Sequence, residues 1–247
     1  MKKLIRLIVT SATYRQSSVV SQEAQAQDPE DRLLDRSPRY RIDAEMVRDY
    51  ALEAGGLLKT TVGGPPVRTY QPEGVWEATA MGKSNTRDYV QDHGSDLYRR
   101  SVYLFWKRGA SPPEMDVFGA PSRETCVVRR ERTNSPLQAL VTLNDTQFVE
   151  AARNLAERSM LASATLDGQI DYMSMRVLSR RLEPAERQVL TASYRKLFAF
   201  YESNAADAHK LVAAGESKAN ARLSVTQLAA LTMLANEFLN LDEALNK

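Results

Sequence analysis

The chain is poor in the residues that most often announce chemistry. It has one cysteine, Cys126, and two histidines, His93 and His209. No disulfide can close within it, so folding does not depend on an oxidising compartment. A zinc centre of the common Cys/His kind needs four soft ligands that are not present. Such counting leaves carboxylate-bound magnesium or calcium undecided, and no cofactor is expected. Charge of one sign is missing as well. The chain sets 33 Lys and Arg against 31 Asp and Glu, a net charge of +2, so no global field steers nucleic acid or an acidic membrane. No apolar run approaches the roughly 18 residues of a membrane span. The catalytic signatures are absent too. Gly63-Gly64-Pro65-Pro66 lacks the lysine of a phosphate-binding loop, and there is no His-Glu-x-x-His, Gly-x-Ser-x-Gly or Cys-x-x-Cys-His.

What remains is a globular composition, 43% hydrophobic and 26% charged, patterned mainly for helices. Met1 to Val9 imitates a signal peptide through Lys2 and Lys3. Arg6 interrupts the apolar segment, so an amphipathic helix over 2–12 is expected instead. Residues 19–32 read as an exposed loop. A helix is predicted over 43–54, capped by Asp43 and stopped by Gly55-Gly56. Residues 57–88 are rich in turn signals, with short extended pieces around 67–70 and 74–78. A helix is expected from Asp96 to Lys107, broken by Ala110-Ser111-Pro112-Pro113. An ordered, charged loop follows over 114–134. Ser135-Pro136-Leu137-Gln138 has the capping-box spacing and starts a helix, and Asn144-Asp145 interrupts it and caps another. Further helices are predicted at about 167–180, at 184–203, started by Pro184, and at 225–240, where Ser224 with Gln227 repeats the capping-box spacing. The expected fold is therefore mainly α, six to eight helices with long ordered loops and at most a few short strands. The expected division is a core with a polar loop network over 1–160 and a helical bundle over 161–247 packed on it.

Two clusters carry candidate chemistry. In Asp92-His93-Gly94-Ser95-Asp96, a carboxylate can orient the His93 imidazole as a general base; the plainer role is a loop-fixing hydrogen bond. Asp92 and His93 are thus the catalytic candidates. From Pro121 to Asn134 the chain carries Arg123, Arg129, Arg130 and Arg132, whose paired donors suit a carboxylate, sulfate or phosphate. Internal cross-bracing, anion binding and nucleic-acid contact all use such a run. The last is disfavoured because aromatic interleaving is absent and net charge is small. Arg123, Glu124, Arg129, Arg130, Asn134 and Gln138 are the ligand-binding candidates. Arg123, Arg129 and Arg130 are expected to share one partly buried polar site with Asp92 or Glu124, because an unpaired inward charge costs several kcal/mol. Tyr89, Tyr98 and Trp106 are aromatic candidates for a sugar platform, against ordinary core packing. Cys126 is expected to be buried and inert.

Several segments together resemble the DUF1553 family, also called the planctomycete PSD1 domain. They are Ser11-Ala12-Thr13-Tyr14-Arg15-Gln16-Ser17-Ser18, Gln91-Asp92-His93-Gly94, Arg99-Arg100-Ser101 with Trp106-Lys107-Arg108, and Ala120-Pro121-Ser122-Arg123-Glu124. Arg129-Arg130 with Arg132-Thr133-Asn134-Ser135-Pro136-Leu137-Gln138-Ala139-Leu140, and Leu143-Asn144-Asp145, extend the likeness. The resemblance brings no established activity. It implies an extracytoplasmic setting in large bacterial proteins with DUF1549 and cytochrome-c-like domains, and an association with polysaccharide metabolism. Relatives carry more of the domain before Lys2, so Met1 reads as the start of a shortened form. The family's Phe-Asp-Ala-Pro is Phe118-Gly119-Ala120-Pro121 here, which removes an acid beside the arginines. The resulting expectation is a binding or structural module that takes a glycan or another anionic ligand. The alternatives are a hydrolase or carbohydrate-active enzyme using Asp92, His93 and Arg123, and, last, a nucleic-acid-binding module.

Overall fold

The computed structural model describes the chain apart from Met81, Lys83, Asn85, Thr86, Arg108 and Lys247. The chain forms two compact units, residues 1–41 with the final two residues, and residues 42–245. The first unit holds α1 (Lys2–Thr10) and α2 (Gln22–Gln27). No residue of α1 is buried. The short α2 lies inside the segment read as loop, and Ser21 caps it by accepting from the Ala24 N–H at 3.1 Å.

The second unit is built from α3 (Ala44–Gly55), α4 (Val75–Thr79), α5 (Pro113–Val117), α6 (Pro136–Asn144), α7 (Thr146–Ala162), α8 (Leu166–Val177), α9 (Pro184–Ser203), α10 (Ala205–Val212), α11 (Val225–Leu239) and α12 (Asp242–Leu245). The protein is mainly α-helical, with isolated β-bridges and no sheet among the described residues. At the centre α11 packs against α7, and α6, α8, α9 and α10 also meet it. Its Leu228, Ala229, Ala230, Leu231, Leu234, Ala235 and Phe238 are almost wholly enclosed. Such continuous burial fits a helix apolar nearly all round rather than on one stripe. On α7, Ala151, Ala152 and Ala156 keep the surface thin, so neighbours approach closely. A Cβ at Gly55 would stand 2.6 Å from the Ala151 carbonyl oxygen, which ties that glycine to the α3–α7 contact. Gly56 follows at φ 75° and closes α3 in the left-handed conformation.

Several expectations are corrected. The extra helices beyond six to eight are short pieces such as α2, α4, α5 and α12. Residues 74–78 are not extended: Val75 starts α4, whose Trp76 is buried. The predicted helix from Asp96 to Lys107 is two 3₁₀ turns, Gly94–Tyr98 and Ser101–Tyr103. The carbonyls of Leu97 and Arg99 accept from the Arg48 guanidinium instead of from helical N–H groups. The backbone there also bonds sideways, Lys59 N–H to the Tyr98 carbonyl and Phe105 N–H to the Val67 carbonyl. Ser135 and Pro136 do start α6, but no capping box forms. Gln138 turns instead to the Val117 carbonyl and the Thr133 hydroxyl, both at 3.0 Å. At α11 the Ser224 hydroxyl does accept from the Gln227 N–H.

Candidate functional site

The arginine-rich loop runs from the end of α5 to the start of α6. Gly119, at φ 74°, begins it, and a Cβ there would press on the Glu131 carbonyl at 3.1 Å. Trp106 braces its first half. The indole N–H donates to the Ser122 carbonyl at 3.1 Å, and the Arg123 guanidinium lies 4.2 Å from the ring centroid. Arg123 itself adopts φ 64°, the left-handed region that a long side chain rarely enters. Further on, Arg130 makes a two-pronged contact with Glu45 at 2.6 and 3.2 Å and lies 3.6 Å from Asp43. Burial pushes the Glu45 carboxyl up, but its bond from Arg130 and the charges of Arg130 and Arg123 hold it below the ordinary range. The carboxylate that holds Arg130, and that feels the charge of Arg123 from further off, is therefore Glu45, from the first turn of α3. Asp92 and Glu124 are elsewhere: Glu124 is exposed, its N–H on the Ser122 hydroxyl.

Arg129 is exposed, and no hydrogen bond or ion pair among the described residues involves it. With Arg130, Glu131, Arg132 and Thr133 it lines an open pocket of about 430 Å³. Asn134 is exposed beside it, and Gln138, 1% exposed, anchors the loop's end to α5. Cys126 corrects its expectation: it is exposed on this loop.

The His93 region has a different partner from the one its sequence neighbours suggest. Asp92 and Arg68 clasp each other, the Arg68 N–H donating to the Asp92 carboxylate at 2.7 Å and the Asp92 N–H to the Arg68 carbonyl at 2.9 Å. His93 Nδ1 instead meets Glu216 at 2.8 Å, and the Gly94 N–H donates to the other oxygen at 2.6 Å. Beneath Glu216, Tyr70 accepts from its N–H and donates to the fully buried Glu150 at 3.0 Å. Tyr98 and the N–H and hydroxyl of Ser217 also donate to Glu150, at 2.8, 2.6 and 2.6 Å. Burial and the bond to Glu150 push the Tyr98 phenol up to about 12. Tyr89 packs edge-on to Trp76 and donates to the Thr69 carbonyl at 2.6 Å. Tyr89 and Tyr98 thus bond within the fold, and the Trp106 ring holds Arg123.

A third cluster lay outside the sequence reading. Arg48 of α3 is 1% exposed and donates to Gln147, Leu97, Arg99 and Ser101 at 2.6 to 3.1 Å. Glu114 of α5 and Asp145, the cap of α7, also feel its charge. Glu114 is 7% exposed, and its Oε1 has no hydrogen-bond partner. A polar residue among the apolar positions of helix 43–54 was the available signal for Arg48. Glu114 had none, because a short helix after a Pro-Pro pair has no periodicity to read.

Among the described residues no three His, Cys, Asp or Glu side chains are placed to hold a metal ion, and no helix is long and apolar enough to cross a membrane. The model of the family described as PSD1, a protein of unknown function (DUF1553), matches residues 1–194. The chain belongs to the DUF1553 family. No curated protein and no solved structure matches it. The DUF1553 match contains the whole arginine loop, with Glu45, Arg48 and Glu114. Glu216, Ser217 and α10–α12 lie beyond it.

Proposed function

We propose that this DUF1553 chain is a binding module without catalytic machinery, part of an extracytoplasmic multidomain protein, and that its arginine loop takes the sulfate or carboxylate of a glycan. The observation that carries this reading is Arg129. It stands unpaired at the rim of the pocket over 129–133, while Arg130 beside it is fixed by Glu45. A bracing arginine has its carboxylate; one held at an open rim beside an anchored neighbour has donors to offer an anion. The hydrolase alternative asks for His93, a carboxylate and two arginines around one cleft. His93 does have its carboxylate, Glu216, but Arg123 and Arg130 are drawn to Trp106 and Glu45 instead.

The test is calorimetric titration with sulfate, phosphate, and sulfated or uronic-acid oligosaccharides, repeated on Arg129→Ala. Saturable heat in the native chain that vanishes in a variant of unchanged melting temperature is the expected result. No heat with any of these ligands, or heat that survives the substitution, overturns the assignment.

A further inference from the structure

The seat of α5 contains an imbalance. Glu114 enters a buried space faced by Arg48 from α3, with Asp49 beside it, by Asp145 at the start of α7, by Tyr89, and by Asp116 of its own helix. Arg48 directs its hydrogen bonds at Gln147, Ser101, Asp49 and the carbonyls of Leu97 and Arg99, and among the described residues none of them reaches Glu114. Oε1 of Glu114 is left bare, and so is Nε2 of the neighbouring Gln147. A neutral carboxyl tolerates such a place far better than a carboxylate, which would share one already engaged guanidinium with Asp145. The seat is also mechanically connected. Ala120 N–H bonds to the Met115 carbonyl, and Gln138 bonds to the Val117 carbonyl, so the two ends of the arginine loop meet on α5.

We propose that Glu114 is a proton-operated latch on the arginine loop: while it carries a proton α5 stays seated against α3 and α6, and when it ionises α5 is released and the loop over 118–135 loosens with it. The consequence for anion binding rests on the function proposed above; the latch itself does not. Burial, with Asp145 adding to it, pushes the Glu114 carboxyl up from 4.5 to about 7. Linkage between those two values makes opening of α5 ~40-fold more favourable at pH 7 than at pH 5, with little further change above about pH 7.

The experiment is native-state hydrogen exchange on the full chain without ligand. It reads the amides of Met115, Phe118, Gly119 and Ala120 from pH 5 to 8, corrected for intrinsic exchange. Protection should fall with pH and then level off in the native protein, and stay flat in Glu114→Gln. Protection that is flat in the native protein, or that falls equally in Glu114→Gln, overturns the latch. Should Glu114→Gln not fold, Asp145→Asn carries the test, since asparagine also caps helices. Without the neighbouring charge the plateau should arrive at lower pH, and an unchanged profile overturns the proposal. Sulfate titrations at pH 5 and 7 separate the two ideas. Absence of heat at both, with the exchange profile as expected, removes the anion site and leaves the latch standing.

Discussion

Replacing Glu150 by alanine should damage this protein more than any surface change. Glu150 and Arg153 are both fully enclosed on α7, 3.8 Å apart. Glu150 accepts from Tyr70, Tyr98 and twice from Ser217, while Arg153 reaches the Ser217 carbonyl and hydroxyl at 2.6 and 2.5 Å. The alanine leaves Arg153 with a buried charge and Glu157 4.0 Å away as its remaining acid. Breaking a buried pair from one side costs about 3–5 kcal/mol. For a chain of this size that lowers the melting temperature by roughly 10–15 °C. Urea unfolding followed by circular dichroism measures the loss directly, and the slope of the transition checks that it stays two-state. Arg153→Met should cost a similar amount, because it strands the carboxylate. The double variant should cost clearly less than the sum, with a coupling of about 1–3 kcal/mol. Single losses below about 1 kcal/mol, or strict additivity, would refute the view that these residues form one buried unit.

Three other outcomes follow from the packing and the charges. Gly55→Ala should destabilise by about 1–3 kcal/mol although alanine is the better helix former, because its Cβ meets the Ala151 backbone; a gain in melting temperature would show that α3 can move away. Folding stability should decline as pH rises from about 4.5 to about 7, since the native state holds the Glu114 proton that the unfolded chain has already lost. The loss amounts to about 3 kcal/mol, and stability curves of Glu114→Gln should lack it. Cys126 should react stoichiometrically with a thiol reagent in the folded protein at the rate of an exposed cysteine; slow, unfolding-limited labelling would place it inside.

The helices that dominate the structure were legible because apolar spacing and end signals agreed. Pro184 begins α9, Ser224 caps α11, and Gly56 ends α3. The segment from Asp96 to Lys107 was misread because its apolar residues fit a helical stripe while its carbonyls answer to Arg48, some fifty residues earlier. No local pattern records such a bond. The same distance effect governs the site. Arginine concentration over 121–134 was visible, but Glu45 as its anchor was not, since the pair spans 85 residues. His93 was paired in prospect with the acids beside it, and Glu216 was invisible for the same reason.

The position of α11 has a consequence for dissecting this family experimentally. The part of the chain that carries the family likeness stops at residue 194, whereas the compact unit runs from 42 to 245 with α11 as its central pillar. A recombinant fragment drawn at the edge of the likeness would strip α7 of the helix it packs against most extensively. It would also remove the Ser217 contacts that cover Glu150 and Arg153, leaving a buried ion pair open to water. Such a fragment is expected to be insoluble or loosely collapsed, and inactivity measured on it would report the missing pillar rather than the arginine loop. The stretch of family likeness and the compact unit do not share a border here, and fragments made to test function should follow the second.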